Sequence, residues 1–450
     1  MDIKNKHITI LGAVRSGIAA AKLIKKLGGI PFVSDMVPYE KLSASFDVLT
    51  EAGINFEAGG HTDKVYDCDF IVTSPGVPSN AKVMVEALEK GIEVISELEL
   101  AASFCEGDII AITGSNGKTT TTMLTAHVFN HCGLKTHLAG NIGRAFSDVV
   151  LEVKKGEVVA LEVSSFQLDF IKNFHPKVSA ILNLTPDHLD RYGGSFNRYS
   201  EAKLRIFSNQ IESDYYISND DDLKLSKSKG KSSARNLTFS VKHKIERGSY
   251  LNMDSFVYAN DNTEEIICSS SDLSIRGEHN IANALAVVCF AKIFNLNSEK
   301  IKEAFSTFPG VEHRLEFVRK VDAVEYINDS KATNVDSVWF ALRSFDKPLY
   351  LILGGKDKGN DYSLIFESVK QNVKKIYAIG SSAKKVSNYF SDVVDVEIKE
   401  TLEDAVQSAR KEAAENSIVL LSPACASFDM FDDYEHRGKV FKEAVMRLPE

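Results

Sequence analysis

The chain has few cysteines, no excess of basic residues and no long apolar run, and each absence excludes a class of protein. Its six cysteines, among 450 residues, form no Cys-x-x-Cys or Cys-x-x-His pair, so we expect reduced thiols of a cytosolic protein instead of disulfides or a zinc site. A formal net charge of −9 argues against a general binder of nucleic acids or membrane surfaces. Residues 1–6 are polar, and no apolar run reaches the length of a membrane span. We expect a cytoplasmic protein without a nucleic-acid partner or a membrane contact, and we expect it to be a monomer.

Two patterns of known chemistry are also missing. No Ser-His-Asp arrangement or nucleophile elbow is visible, so we do not expect a hydrolase that works through a covalent intermediate. The first segment contains a strand, a turn from Gly12 to Gly17 and a helix, as dinucleotide-binding folds do. However, Val14 stands where the second glycine of that fingerprint would be, although Asp35 follows the next strand, where a ribose-binding acid would lie. We expect a nucleotide in a looser pose, and an NAD-dependent oxidoreductase stays open as an alternative.

A strand, a glycine turn and a helix start at residues 109–120 predict a phosphate-binding loop. Backbone N–H groups and the helix dipole would face the anion, Lys118 would add a point charge, and the Thr119 hydroxyl could hold Mg²⁺. The usual P-loop has four residues between its glycines, whereas only two separate Gly114 from Gly117. The alternative is a plain strand–helix turn with a solvent lysine. The residues that we expect at the phosphates are Gly114, Ser115, Asn116, Gly117, Lys118, Thr119 and Thr120.

Polar side chains follow several other predicted strands. Glu162 closes an apolar strand, where an acid is well placed for Mg²⁺, although an exposed strand-end Glu is the alternative. His188 and the acid before it come after the strand that starts at Val178, which favours a functional role. Asn141 lies in a predicted loop, residues 135–143, and is exposed between glycines. By its spacing alone, Lys203 in a predicted helix is an ordinary surface lysine.

The order of strands and helices predicts an α/β protein of three segments. Short alternating runs over residues 215–275 predict antiparallel hairpins added to a parallel sheet. A Pro-Gly break at residues 309–310 precedes a third segment, in which strands and helices alternate again. We place the domains at residues 1–96, 97–310 and 311–450. The residues alone predict an ATP-dependent transferase or ligase, and they do not predict its substrates. Acidic residues would bind Mg²⁺, and lysines would bind phosphate or carboxylate groups.

The motifs also resemble a known family. Residues 113–120 are similar to the nucleotide loop of the Mur ligases, which has this shortened form, and residues 162–168 are similar to that family's strand-end Glu motif. Further motifs match in the same order at residues 183–191, 277–283, 313–314 and 329–334. The resemblance implies a Rossmann-like first domain that binds a UDP substrate and a central P-loop-type ATP-binding domain with added antiparallel strands. It also implies a Rossmann-like C-terminal domain that binds an amino acid.

Residues 164–168 and 421–429 look most like the members that add D-glutamate. The resemblance therefore implies UDP-N-acetylmuramoyl-L-alanine and D-glutamate as substrates, ATP and two Mg²⁺ ions as cofactors, and an acyl-phosphate intermediate. Positioning and charge neutralisation are the main help that such phosphoryl transfer needs from a protein.

The same resemblance implies roles for single residues. The catalytic set is Lys118, Glu162, His188 and Lys203, and the metal set is Thr119, Glu162, His188 and Lys203, with Lys203 as a carbamate. The nucleotide would also meet Asn280, Asn283, Arg314 and Asp329. The UDP group would meet Val14, Arg15, Asp35, Ser74 and Gly76, and Asn141 would approach the growing substrate. D-Glutamate and its carboxylates would meet Lys331, Thr333, Lys358, Ser427 and Tyr434.

Some positions depart from the family pattern. Residues 36–38 read Met-Val-Pro, where relatives often place a hydroxyl and an arginine for the UDP group. Both Lys356 and Lys358 could bind the amino acid, and we prefer Lys358 by alignment.

Three rival hypotheses stay open. One is a sister ligase for another amino acid or a folate polyglutamate synthase. The latter usually lacks a first domain like residues 1–96, and we find no arginine motif for a diamino acid in the third segment. The others are the NAD-dependent oxidoreductase and a non-enzymatic nucleotide-binding scaffold.

Overall fold

The computed structural model describes residues 1–228, 230–357 and 359–449. Lys358, one of the predicted amino-acid-binding residues, lies outside the described residues. The chain forms two compact units, Met1–Leu273 with Ile281–Phe308 and Ser274–Asn280 with Pro309–Glu450. Among the described residues, none of the helices combines the length and the apolar character needed to cross a bilayer.

The first sheet has five parallel strands in the order β3-β2-β1-β4-β5. Its strands are β1 (His7–Leu11), β2 (Ile30–Asp35), β3 (Asn55–Ala58), β4 (Phe70–Thr73) and β5 (Glu93–Ser96), and its helices are α1 (Arg15–Lys26), α2 (Ser43–Glu51), α3 (Lys82–Glu89) and α4 (Glu97–Ala102). The order reverses between β1 and β4, and in such open sheets ligands bind at that point, beyond the carboxyl ends of the strands. The prediction of a Rossmann-like sheet is confirmed.

The second sheet has nine strands in the order β14-β13-β12-β11-β10-β9-β6-β8-β7. Its strands are β6 (Asp108–Thr113), β7 (Thr136–Gly140), β8 (Val158–Glu162), β9 (Val178–Ile181), β10 (Tyr215–Asn219), β11 (Arg235–Ser240), β12 (Arg247–Asn252), β13 (Ser255–Asn260) and β14 (Thr263–Ser269). Its helices are α5 (Lys118–His131), α6 (Phe146–Val149), α7 (Ser165–Leu168), α8 (Phe196–Leu204), α9 (Leu223–Ser226), α10 (Glu278–Ile293) and α11 (Ser298–Thr307). Strand β6 is buried after its first residue, and it pairs in parallel with β8 and β9.

Two sequence predictions about this sheet need correction. The runs that became β10 and β11 are not an antiparallel hairpin, because they pair in parallel and helix α9 lies in the connection between them. Only β12, β13 and β14 form antiparallel pairs. The predicted loop at residues 135–143 is in its first half the edge strand β7, so the turn with Asn141 starts later.

The third sheet has six strands in the order β15-β16-β20-β17-β18-β19, and only β15 pairs antiparallel. Its strands are β15 (Glu316–Val321), β16 (Val324–Asn328), β17 (Leu349–Gly354), β18 (Val373–Ile379), β19 (Asp395–Ile398) and β20 (Ile418–Leu421), and its helices are α12 (Val335–Leu342), α13 (Ser363–Asn372), α14 (Ala383–Phe390), α15 (Leu402–Glu412) and α16 (Tyr434–Met446). The sequence predicts four strands in this segment, at residues 324–328, 349–353, 375–379 and 418–421, and the structure has them as the four central strands. The two edge strands were missed because their residues are half exposed and lack such a run. The predicted domain boundaries stay a prediction.

Candidate active site

The predicted phosphate loop connects β6 to α5. Gly114 has φ +155° and Gly117 has φ +84°, and both values lie in the region that favours glycine. A Cβ atom on Gly117 would lie 2.4 Å from Oδ1 of Asn283, so the loop also needs a glycine for space. Helix α5 begins at Lys118, one residue before the predicted start at Thr119, and its first turn presents N–H groups and the positive end of the dipole. The loop therefore has the backbone geometry of an anion site.

Strand β9 and the segment after it hold this loop in place. The Asn183 amide accepts a hydrogen bond from the Asn116 N–H (2.8 Å) and donates one to the Asn116 carbonyl (3.0 Å). The Ser115 hydroxyl donates to the Thr185 carbonyl (2.7 Å) and accepts from the Thr185 N–H (2.9 Å). Sequence reasoning gave Asn183 no role of its own. The signal available in the sequence was that Asn183 is a polar residue near the end of a predicted strand, at the start of the motif at residues 183–191.

The Lys118 ammonium group folds over its own loop. It donates to the carbonyls of Gly114 (2.8 Å) and Ser115 (2.9 Å). Thr119 and Thr120 follow it, each with 3% exposure. The lysine and threonines are thus gathered at the start of α5, at the loop where sequence reasoning placed the phosphates.

Glu162 ends strand β8 and is 3% exposed, so the alternative of an exposed strand-end Glu is wrong. Its Oε1 atom accepts a hydrogen bond from the Asn141 side chain (3.0 Å). Its Oε2 atom is buried and has no hydrogen-bond partner among the residues that the structure describes. A buried carboxylate oxygen without a donor is costly unless a cation or donor meets it. The donor set of Glu162 and the Thr119 hydroxyl consists of oxygen ligands, which suit Mg²⁺.

Lys203 is 2% exposed, so its classification as an ordinary surface lysine is wrong. It lies on α8 four residues after Tyr199, and both side chains face inward. Its ammonium group donates to the Gly114 carbonyl (2.9 Å) and to the Thr113 hydroxyl (3.3 Å), and it lies 4.8 Å from the centre of the Tyr199 ring. Burial, with the positive charge of Lys118, lowers the pKa of Lys203 well below its ordinary value.

His188 has an exposed side chain, unlike Lys203. Its backbone has a positive φ of 50°, and its Nε2 atom is 3.6 Å from the Asp187 carboxylate. The edge of its ring meets the Phe166 ring, with 5.3 Å between centroids. The imidazole is therefore accessible to a ligand and held from one side by an aromatic ring.

The loops of the first sheet carry the residues predicted for the UDP group. Val14 is 56% exposed and precedes α1. The Arg15 guanidinium donates to the carbonyls of Asn141 (3.2 Å) and Gly143 (2.9 Å). The Asp35 carboxylate accepts from the Ala13 N–H (2.6 Å) and from a second backbone N–H after the strand. Asp35 thus shapes the turn after β1.

The second turn of that sheet follows β4. Ser74 is 8% exposed, and its buried hydroxyl has no hydrogen-bond partner within residues 1–228, 230–357 and 359–449. Gly76 is exposed, and its carbonyl accepts a hydrogen bond from Arg191 (3.3 Å). The structure therefore brings the predicted turn after β1 and the turn with Ser74 and Gly76 to the carboxyl edge of the first sheet.

Asp329 and Arg314 lie together in the second unit. Asp329 is 4% exposed and accepts hydrogen bonds from the Ser422 hydroxyl (2.7 Å) and the Leu315 N–H (3.2 Å). Burial raises the pKa of its carboxyl to about 7, although the charge of Arg314 opposes this. The Nε atom of Arg314 is buried, and no described residue forms a hydrogen bond with it. The predicted nucleotide residue Asn280, in the same unit, donates to the Arg276 carbonyl (2.7 Å).

The residues predicted for the amino acid follow the strands of the third sheet. The Lys331 ammonium group lies 5.3 Å from the centre of the Tyr434 ring, and the Thr333 N–H donates to the Lys331 carbonyl (2.9 Å). Ser427 is 2% exposed, and Lys356 is exposed.

Sequence reasoning missed Arg437, which is completely buried. It donates to the Ser330 hydroxyl (2.9 Å), the Ser330 carbonyl (2.7 Å) and the Cys425 carbonyl (3.1 Å). Burial lowers its pKa to about 10. Arg437 thus ties together the loops that follow β16 and β20, on which several predicted amino-acid residues lie.

Comparison with known proteins identifies this arrangement. Three family descriptions match the chain in order: the MurD N-terminal domain at residues 8–83, the Mur ligase middle domain at 112–291, and the Mur ligase, glutamate ligase domain at 313–425. The chain belongs to the Mur ligase family and has its three-domain α/β fold.

Full-length relatives define the branch of the family. A UDP-N-acetylmuramoylalanine–D-glutamate ligase of Salinibacter ruber is 43% identical over 458 residues, which cover 99% of each chain. A protein of the same name from Koribacter versatilis is 42% identical over 453 residues, which cover 100% of this chain and 99% of the other.

Solved structures share the fold. The UDP-N-acetylmuramate–alanine ligase of Thermotoga maritima has a TM-score of 0.63 at 20% identity and covers 98% of this chain and 99% of its own. A pseudomurein peptide ligase type C of Methanothermus fervidus has a TM-score of 0.61 at 21% identity, and the match covers 99% of this chain and 100% of the other.

Proposed function

We propose that this protein is an ATP-dependent amide ligase that adds D-glutamate to UDP-N-acetylmuramoyl-L-alanine in peptidoglycan precursor synthesis. The observation that carries the proposal is the 43% identity to a ligase of that name over 99% of both chains. The predicted rival classes, an NAD-dependent oxidoreductase and a nucleotide-binding scaffold, have no comparable support. A sister ligase would need a different amino-acid pocket on the same fold.

ATP binds at the loop between β6 and α5 in this proposal. The N–H groups of the first turn of α5 and the Lys118 ammonium group hold the phosphates. The rest of the nucleotide is assigned to Asn283, which lies next to Gly117, and to Arg314 and Asp329. The orphaned Nε atom of Arg314 supports a role as donor.

Thr119 and Glu162 hold a Mg²⁺ ion, which neutralises charge on the phosphates. The buried Oε2 atom of Glu162, which lacks a hydrogen-bond partner in the described part of the chain, supports this assignment. His188 and Lys203 hold a second Mg²⁺, with Lys203 as a carbamate. A neutral amine is the form that adds to CO₂, and the lowered pKa of Lys203 favours that form. A carbamate is anionic, so it can serve as a ligand where an ammonium group cannot.

The reaction has two steps. A carboxylate oxygen of the substrate's alanine attacks the γ-phosphorus of ATP, and ADP leaves. The amine of D-glutamate then attacks the acyl carbon, phosphate leaves, and the amine loses a proton. The Lys118 ammonium group stabilises the negative charge of the transferred phosphoryl group. The protein contributes mainly by positioning the reactants and by neutralising their charge.

The other assignments concern the two remaining substrates. Asn141, whose side-chain amide donates a hydrogen bond to Glu162, approaches the growing substrate. The UDP group lies against the turns of the first sheet with Val14, Arg15, Asp35, Ser74 and Gly76. D-Glutamate meets Lys331, Thr333, Ser427, Tyr434 and Lys358. The cytoplasmic location and the monomeric state stay predictions.

Phosphate release tests the function. Purified protein would be given Mg-ATP and UDP-N-acetylmuramoyl-L-alanine with D-glutamate, L-glutamate, L-alanine, L-lysine or diaminopimelate in separate reactions. We expect release with D-glutamate alone. Release with a different amino acid would reassign the protein to a sister ligase. ATP binding without turnover under any amino acid would favour the scaffold.

A further inference from the structure

The Arg191 side chain connects the first sheet to the segment that carries His188. Its guanidinium donates to three successive carbonyls, those of Pro75 (3.2 Å), Gly76 (3.3 Å) and Val77 (3.3 Å). We call residues 74–77, which follow β4, the substrate turn. A guanidinium offers donors in a rigid fork and so fits several carbonyls of one turn at once.

The other side of Arg191 stacks on an aromatic ring. Its Cζ atom lies 4.4 Å from the centre of the Phe166 ring. The same ring meets the edge of His188 at 5.3 Å and stacks on Tyr192 at 6.0 Å. Phe166 therefore joins the arginine to the exposed imidazole of the candidate metal site.

The packed chain of side chains continues to the phosphate loop. Tyr192 meets Tyr199 with 5.7 Å between ring centroids, and the Tyr199 hydroxyl lies 3.0 Å from the Ser115 hydroxyl. The Lys203 ammonium group lies over the same Tyr199 ring. Contacts of bonding or packing distance thus run without a gap from the substrate turn to the phosphate loop.

We propose that Arg191 is a positioning residue that fixes the substrate turn relative to the His188 segment, so that the UDP substrate meets a turn already aligned with the metal site. The proposal rests on the proposed function, because that function assigns the UDP group to this turn. Among the described residues, the hydrogen-bond acceptors of the Arg191 side chain are the main-chain carbonyl oxygens of Pro75, Gly76 and Val77, so in this proposal Arg191 acts through the position of the turn.

Fixing the turn before binding reduces the conformational freedom that the substrate must otherwise remove. The ATP loop has its own direct supports, Asn183 and Thr185, whereas Arg191 is linked to it only through several intervening aromatic side chains. Loss of Arg191 therefore affects the UDP substrate far more than ATP.

Kinetics of Arg191→Gln test the proposal. We expect the KM for UDP-N-acetylmuramoyl-L-alanine to rise ~10-fold while the KM for ATP changes less than ~2-fold, since only one binding turn is released. Arg191→Lys keeps the positive charge but loses the forked donors of the guanidinium. Its KM for the UDP substrate should therefore lie between those of wild type and Arg191→Gln. Phe166→Leu raises the same KM, and the double variant shows less than the product of the two effects. Arg198→Gln, an exposed arginine on α8, is the matched control and leaves all constants unchanged.

Hydrogen–deuterium exchange of the ligand-free protein gives a second readout that needs no activity. The Val77 N–H donates to the Ser74 carbonyl (3.0 Å), and we expect peptides with this amide to exchange faster in Arg191→Gln. Unchanged exchange with an unchanged KM would overturn the proposal. A lower thermal stability together with an equal rise of both KM values would also overturn it, since that result indicates only a structural role. An inactive wild-type protein would refute the proposed function, while the exchange result would still test the link.

Discussion

At the scale of single residues, two ionisable side chains of the candidate site, Glu162 and Lys203, are buried without a full set of compensating charges. One carboxylate oxygen of Glu162 has no hydrogen-bond partner among the described residues, and burial lowers the pKa of Lys203. Such groups usually cost stability, because burial removes their hydration. Their place beside the phosphate loop fits a site whose charges are balanced only when nucleotide and metal are bound.

The Lys203→Ala variant tests whether this lysine works as a carbamate. We expect turnover to fall by ~10²-fold or more, because in the proposed mechanism the variant lacks the anion that would hold the second Mg²⁺. A short carboxylic acid such as acetate should restore part of the phosphate release, since it supplies the missing anion in the space left by the side chain.

Lys118→Ala is the control for that rescue. It removes a cation, so the same acid should restore nothing. Full activity of Lys203→Ala in the absence of any acid would contradict the role of the carbamate.

The raised pKa of Asp329 leads to a prediction about how stability depends on pH. Its carboxyl has a pKa of about 7 in the folded chain and an ordinary value of 3.8. Between these values the folded state binds more protons than the unfolded state, so this group's contribution to stability is present at low pH and is lost as the pH rises through 7. For a shift of this size, the free energy of unfolding of wild type relative to Asp329→Asn should fall by up to ~4 kcal/mol from pH 4 to pH 8.

Urea unfolding of both proteins at several pH values measures this difference. Asp404→Asn, a change at an exposed carboxylate on α15, is the control, and its difference from wild type should vary less. A difference for Asp329→Asn that does not change with pH would show that the carboxyl titrates normally.

At the scale of elements, the loop between β6 and α5 depends on glycine for two separate reasons. Gly117 has a positive φ, and its missing side chain leaves room for the Asn283 amide. Gly133, after α5, has nearly the same φ of +88° but nothing within 4 Å of the Cβ position. The two glycines therefore separate backbone strain from crowding.

Comparison of Gly117→Ala with Gly133→Ala tests this account. Both variants carry a strain of ~1–2 kcal/mol from the left-handed backbone. Only Gly117→Ala also displaces Asn283, so we expect its KM for ATP to rise at least ~10-fold while that of Gly133→Ala stays near wild type. Thermal unfolding of both variants and ATP titration are the measurements. Equal ATP constants in the two variants would contradict the crowding argument.

At the scale of the whole molecule, the division into two compact units has a consequence for unfolding. The chain has one tryptophan, Trp339, and it belongs to the second unit. The Cζ atom of Arg343 lies 4.4 Å from the centre of the Trp339 ring, and Trp339 packs against the hydrophobic core of that unit. Tryptophan fluorescence therefore reports on the second unit, while far-UV circular dichroism reports on both.

We expect the two signals to give different midpoints when the ligand-free protein is unfolded by urea, because units with separate cores need not unfold together. Trp339→Phe should abolish the fluorescence transition and leave most of the dichroism curve in place. Coincident midpoints would mean that the chain unfolds as one cooperative system.

Much of the fold was predictable because its signals are local. Helix α5 begins at Lys118 since the glycine turn and the apolar strand before it are adjacent in the chain. The central strands of the third sheet follow from short apolar runs between turn residues. The parallel pairing of β10 with β11 was not predictable in this way, because an alternating run fits either direction of pairing.

The amino-acid sequence by itself determined the positions of the phosphate loop, of the strand-end acids and of the family motifs, because each depends on neighbours within a few residues. Only the tertiary structure decided the burial of Lys203, whose partner Gly114 is 89 positions away in the chain. It also decided that Asn183 clamps the loop and that Arg191 joins two sheets, through contacts 67 and 115 positions apart. Such contacts depend on how distant elements pack, and a residue's local pattern contains no record of that packing.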